Sequence, residues 1–205
     1  MTTSEVMQVA PVTLEGAVVR LEPLSMEHAA GLYAAAQDER IWRWMPTKLY
    51  GSRERIETWI ETALRAQESG TDLPFATILR ETDEPIGGTR YLNISRRDRG
   101  LEIGWTWLNP QVQRTAVNTE CKYLLLRHAF ETLGAIRVQL KTDSRNTISQ
   151  NAIARLGAVR EGVLRKQMIL EDGYQRDTVM FSILDDEWPT VRARLEVSLA
   201  TGERP

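Results

Sequence analysis

Between Leu101 and Gly157 the hydrophobic pattern switches repeatedly between two periods, and this order restricts the fold more than any other feature of the chain. Leu101 to Leu108 alternates as a strand does, with Leu101, Ile103, Trp105 and Trp107 against Glu102, Gly104, Thr106 and Leu108. After Asn109-Pro110 and an irregular polar stretch, Gln111 to Ala116, the apolar-rich segment Val117 to Leu133 is helical and closes at Gly134. Arg137 to Asp143 alternates again, and a second helix runs from Asn146 to Leu156, stopped at Gly157. A strand-helix-strand unit therefore sits in the middle of the chain.

The flanks are mostly strands. Val18 to Leu21 is strand-like, and Ser25 then offers a helix cap. Ile56, Trp59, Ile60, Ala63 and Leu64 form the stripe of an amphipathic helix that begins near Ser52 and ends at Gly70. Leu73 to Arg80, Pro85 to Ile94 and Leu101 to Leu108 make an antiparallel meander. Val163 to Leu170 and Tyr174 to Leu184 flank Asp172-Gly173, a two-residue hairpin signal. Asp185 caps a last helix bearing Trp188, Val191, Leu195 and Leu199. The expected architecture is a mixed α/β domain with a mostly antiparallel sheet of about seven strands and helices on both faces. One domain over residues 1–205 is expected, with a core from about 12 to 185 and a terminal helix from about 186 to 199.

Composition narrows the function. At 205 residues, 42% apolar and 26% charged, the chain has enough apolar material for a core. The formal charge is −2, so no surplus of basic residues draws it to nucleic acid, and a ribosome- or RNA-bound module is disfavoured. No stretch approaches the ~20 apolar residues of a membrane span, and Met1 to Glu5 does not open a signal peptide; a cytoplasmic location follows. The single Cys121 and the distant His28 and His128 offer no metal site. His128 shares the apolar stripe of Leu124 and Leu125, and Cys121 lies one turn earlier, so both are expected to pack in the core.

Chemistry concentrates at the join Leu108-Asn109-Pro110-Gln111-Val112-Gln113-Arg114-Thr115-Ala116-Val117-Asn118-Thr119-Glu120. A helix start leaves backbone N–H groups without partners at the positive end of the dipole, so small residues there let an anion dock on the main chain.

These residues, in this order of elements, resemble the GNAT superfamily of N-acetyltransferases, particularly its ribosomal-protein branch, over residues 12 to 185. In that family a Gln/Arg-x-x-Gly-x-Gly/Ala loop holds the pyrophosphate of acetyl-coenzyme A on backbone amides; Gln113, Ala116 and Asn118 stand at its three marked positions, and Arg114 occupies a place commonly held by glycine. Glu102-Ile103-Gly104-Trp105 is similar to the strand leading into that loop, and Asn118-Thr119-Glu120 to its helix opening. Asn146-x-x-Ser149, followed by Arg155-Leu156-Gly157, resembles the family's Asn-led second helix.

The resemblance implies transfer of an acetyl group from acetyl-coenzyme A to a primary amine, by direct attack in a ternary complex. Leu108, Gln113, Arg114, Thr115, Ala116, Val117, Asn118, Thr119, Asn146 and Asn151 are then the cofactor-binding candidates. Asn146 has a second reading as a helix cap. Many relatives place a Tyr seven positions after the Asn to protonate the thiolate; Ile153 stands there, and Ser149 is the substitute. Glu102 is the candidate base, with Asp177 as the other carboxylate, while Met168 lies near where ribosomal-protein enzymes carry an acid. Trp42, Trp44 and Met45 are expected to wall the acceptor pocket, with Glu102 and Asp177 also facing the acceptor. The acceptor is a small molecule or peptide amine, and relatives are often homodimers. The altered loop and the absent Tyr leave open an alternative, a coenzyme A-binding sensor or interaction protein without turnover.

Overall fold

The computed structural model describes residues 6–202. An eight-stranded sheet runs in the order β1 (Leu14–Glu15), β2 (Val19–Pro23), β3 (Leu73–Leu79), β4 (Glu84–Ser95), β5 (Gly100–Leu108), β6 (Arg137–Asp143), β8 (Gln175–Leu184), β7 (Val159–Ile169). Every neighbouring pair is antiparallel except β5 and β6, which are parallel and joined through a helix. The eighth strand is the two-residue β1, too short to register as a period in sequence.

Helices α1 (Ala29–Ala35) and α2 (Arg53–Glu68) cover one face; α3 (Val117–Arg127), α4 (Thr147–Arg155) and α5 (Trp188–Thr201) cover the other. The expected helix Val117 to Leu133 is α-helical to Arg127 and continues as a wider π turn, His128–Thr132. The apolar layer under α3, α4 and α5 includes Leu101, Ile103, Leu124, Leu125, Val138, Phe181 and Ile153. The layer under α1 and α2 includes Trp42, Ile56, Trp59, Ile60 and Trp107. His128 and Cys121 are buried as expected, and burial pushes the Cys121 thiol up to about 12.

One expectation about β5 is overturned. Strict alternation puts Trp105 and Trp107 on the face of Leu101 and Ile103, away from Glu102. The register instead passes from Arg90↔Gly104 to Gly88↔Trp107, so Trp105 and Thr106 together oppose Thr89. Trp105 takes φ 50° at this β-bulge. The extra residue inverts the parity beyond it: Leu101 and Ile103 pack under α3, but Trp105 and Trp107 pack under α2, on the same face as Glu102.

Candidate active site

The parallel pair β5 and β6 is hydrogen-bonded only over Gly100↔Arg137, Leu101↔Val138 and Glu102↔Gln139. Both strands continue, to Leu108 and Asp143, without pairing to each other. The bulge at Trp105 bends β5 and ends the ladder, because an added residue disrupts local pairing and increases twist. A wedge opens toward the ends from which α3 and α4 begin.

At α3 the chain arrives through a loop held by its own side chains. Gln113 Nε2 donates to the Leu108 carbonyl at 3.0 Å, Asn109 Oδ1 accepts from Gln111 N at 2.9 Å, and Thr115 Oγ1 donates to the Val112 carbonyl at 2.6 Å. Arg114 sits at φ 64°, the left-handed region that favours glycine, with its side chain exposed and no carboxylate within ion-pair distance among the described residues. This explains the departure from the family loop: the arginine adopts the backbone shape that a glycine would supply. Ala116, at the cap position, contributes no side-chain acceptor. Val117 N reaches only Thr115 Oγ1, at 3.3 Å, and among the described residues no acceptor is found for the N–H of Asn118 or Thr119. A cleft of about 300 Å³ lies against these amides, lined by Arg114, Thr115, Ala116 and Thr119 and, from α5, by Ser198, Leu199 and Gly202. Unsatisfied donors, the positive end of α3 and an exposed guanidinium fit a diphosphate.

Glu120, in the first turn of α3, does not oppose that use. Its carboxylate accepts from the backbone N–H of Ala17, Val18 and Val19, each at 2.7 Å, and so ties α3 to the β1–β2 turn. Sequence reasoning placed it only within a motif; its anchoring role depends on a contact a hundred residues away.

At α4 the arrangement differs. Asn146 Oδ1 accepts from Ser149 N at 3.0 Å, the helix-cap geometry, and Asn151 is exposed. The Ser149 side chain is half-buried and its hydroxyl makes no hydrogen bond among the described residues. Ile153 packs in the core.

Glu102 stands where the wedge begins and is 1% exposed. Its Oε2 receives Lys141 Nζ at 3.2 Å and Asn93 Nδ2 at 3.0 Å, while Oε1 has no partner among the described residues. Burial raises the Glu102 pKa, against the opposing pull of Lys141, Asn93 and Arg176. A Cβ at Gly104 would lie 3.0 Å from Glu102 Oε1 and 2.9 Å from Leu92 Cδ2, so a larger residue there would have to displace one of these side chains.

The acceptor-wall candidates divide. Trp42 is 1% exposed, donates its indole N–H to the Ala36 carbonyl at 2.8 Å and packs 5.1 Å from Trp107, so it belongs to the core and not to a pocket wall. Trp44 and Met45 are half-buried. Arg145 links Trp44 to the β7–β8 turn: its guanidinium lies 5.0 Å from the Trp44 ring and 3.6 Å from Tyr174, and it pairs with Asp143 at 2.7 Å. Asp177 is committed elsewhere, accepting from Lys166 N at 2.7 Å at an irregularity in β7 where Lys166 has φ 50°. It also alternates with the buried Arg176 and Thr178, which share the Glu102 face, so Asp177 points away from that face.

Four further cations hold places that sequence reasoning did not assign. Of these only Lys141 was legible, since it alternates with Leu140 and Thr142 on the strand beside Glu102. Arg90, between Trp59 and Trp105 at 5.3 and 5.1 Å and paired with Asp72 at 3.2 Å, gave no local signal, and neither did Arg176. Lys122 is buried in α3 with Nζ 2.6 Å from Thr106 Oγ1, and burial holds its pKa down to about 8.

Residues 19–159 match the family model described as the acetyltransferase (GNAT) domain. The chain belongs to the GNAT acetyltransferases. A GCN5-related N-acetyltransferase from Brucella melitensis superposes with a TM-score of 0.90 at 27% identity, covering 100% of this chain and 96% of the other. A proposed acetyltransferase from T. thermophilus is 40% identical, with a TM-score of 0.85 over 94% of this chain and all of that one. RimJ of Mycobacterium smegmatis, solved in complex with CoA-disulfide, shares the fold at a TM-score of 0.77 and 23% identity, covering 93% of each chain. The enzyme thus transfers acetyl groups from acetyl-coenzyme A, as a GNAT N-acetyltransferase.

Proposed function

We propose that the enzyme acetylates a primary amine by direct attack in a ternary complex, with the cofactor's diphosphate on the amides of Ala116 to Thr119 and the acceptor entering on the Glu102 face. The observation that carries this reading is that, among the described residues, the N–H groups of Asn118 and Thr119 have no partner beside a positive-φ Arg114. Support comes from the shared fold with RimJ, whose structure holds CoA-disulfide, and from a fold neighbour from Vibrio cholerae described as a proposed ribosomal-protein-serine acetyltransferase.

Acetyl-coenzyme A supplies the activated acyl carbon. The chain must position it, accept a proton from the amine and ease departure of the thiolate. Glu102 is suited to the proton: burial raises its affinity for one, and Lys141 with Asn93 fixes its orientation. A water between the amine and the carboxylate completes the relay. Ser149, its hydroxyl unspent, donates to the departing sulfur and replaces the acid that Ile153 cannot supply. Gln113, Leu108, Thr115 and Val117 shape the phosphate loop, and Trp44 and Met45 edge the acceptor side. We also place the enzyme in the cytoplasm as a homodimer, the exposed Val163, Leu164 and Ile169 of edge strand β7 supporting the second point.

Thiol release from acetyl-coenzyme A, followed with an acceptor that stays uncharged across the pH range, tests the mechanism. The rate should rise with pH as Glu102 ionises, with a midpoint above the ordinary value of 4.5. Glu102→Gln should remove that limb and lower kcat/KM about a hundredfold. An unchanged profile removes Glu102 as the base. Release that no amine accelerates, with binding intact, identifies a sensor instead.

A further inference from the structure

Arg176 is 5% exposed, yet it forms no ion pair among the described residues. Its Nε donates to Thr178 Oγ1 at 3.1 Å, and Nη1 has only the weak acceptor Met168 Sδ at 4.0 Å. Nη2 makes no hydrogen bond among the described residues. A guanidinium removed from water without a carboxylate is costly, and its bidentate edge is the part left unused. The other buried guanidinium on this face, Arg90, is paired with Asp72 and stacked on two indoles, so the lack of a partner is specific to Arg176.

Its placement gives the unused edge a purpose. Arg176 and Met168 are register partners near the hairpin end of β7 and β8, next to Asp143↔Thr178, and on the face that Glu102 and Lys141 share. It is near enough to Glu102 and Asp143 for both carboxylates to act on it electrostatically. Asp143 is already held by Arg145 through two side-chain hydrogen bonds and one backbone hydrogen bond, and Glu102 Oε2 by Lys141 and Asn93. Among the described residues, the face thus carries a cation without an ion pair, Arg176, and a carboxylate oxygen without a donor, Glu102 Oε1.

We propose that the acceptor is a primary amine that also carries a carboxylate, with Arg176 receiving the carboxylate and Glu102 facing the amine. This rests on the acetyl-transfer reading above. A carboxylate fits better than a phosphate, because a single guanidinium flanked by Asp143 and Glu102 offers one bidentate edge in a field that disfavours a dianion. The same chemistry comes from a free amino acid or from an acidic peptide.

The test is thiol release with matched acceptors: small amino acids against their carboxamides, and tripeptides with aspartate against asparagine at the second position. Phosphoethanolamine against ethanolamine is the control. At least one carboxylate member should exceed its neutral partner by roughly tenfold or more in kcat/KM, the scale of a charge-assisted hydrogen bond. Preference among the amino acids identifies a small metabolite; preference among the tripeptides identifies a peptide terminus; either supports the proposal. Arg176→Gln should collapse the ratio toward one through KM. Met168→Glu, which supplies an internal carboxylate to the same guanidinium, should do likewise and decides the matter if Arg176→Gln does not fold. Amine-dependent release with no carboxylate preference, a preference confined to phosphoethanolamine, or a ratio surviving both substitutions overturns the proposal alone. Release that no amine accelerates overturns the acetyl-transfer reading together with it.

Discussion

The starts of α3 and α4 lie side by side at the mouth of the wedge, and the chain finishes them differently. At α4, Asn146 turns its side-chain oxygen onto Ser149 N and closes the helix with its own chemistry. At α3, Ala116 has no side chain able to do so, and among the described residues the N–H groups of Asn118 and Thr119 have no acceptor. Two helix ends with the same backbone demand thus receive opposite solutions. On the proposed reading, the anion seat at α3 comes from leaving the Asn118 and Thr119 amides uncapped, since the first turn of a helix can bind an anion only where its own sequence does not satisfy it.

Supplying the missing cap should have the largest effect. Ala116→Asp places an acceptor and a negative charge at the proposed diphosphate seat, so coenzyme A affinity should fall about a hundredfold by calorimetry, roughly two charge-assisted hydrogen bonds. The same variant should melt slightly higher, because Ala116 is already helical (φ −66°, ψ −17°) and a carboxylate there meets the positive helix end, worth about 0.3–1 kcal/mol. Affinity retained alongside higher stability would mean that the cofactor is held elsewhere. Reversing the exposed charge comes next: Arg114→Glu should weaken coenzyme A about tenfold. Its companion Arg114→Gly should raise stability by about 1 kcal/mol, because the backbone already has the glycine conformation. Asn146→Ala should cost about 1 kcal/mol of stability in denaturant titration and less affinity than either charge-changing variant at α3. A loss of affinity as large as that of Arg114→Glu would make Asn146 a cofactor contact as well as a cap.

Both helix starts could be read from the sequence, whereas much of what surrounds them could not. The crossover unit, the hairpin at Asp172-Gly173 and the loop that opens α3 were legible because each rests on local chemistry: hydrophobic period, turn residues and small side chains. The Asn146 cap was legible for the same reason. The bulge at Trp105 was not, because one extra residue in a strand leaves no mark on its composition while it moves two tryptophans to the opposite face. Trp42 was misplaced for a related reason: an indole near an acceptor loop and an indole in the core look alike until packing decides. Arg176 and Arg90 were invisible because their meaning depends on which carboxylates lie across the sheet, and Glu120 because its three donors come from the start of the chain.

The claim on which these arguments turn is that α3, and not α4, offers its backbone to the cofactor. Amide chemical-shift mapping of the isotope-labelled enzyme during coenzyme A titration reads both helix starts in one experiment. The N–H signals of Arg114 to Thr119 should move strongly and saturate with the binding curve, while those of Thr147 to Gln150 move far less. Large shifts at α4 with the α3 amides unmoved would contradict the account.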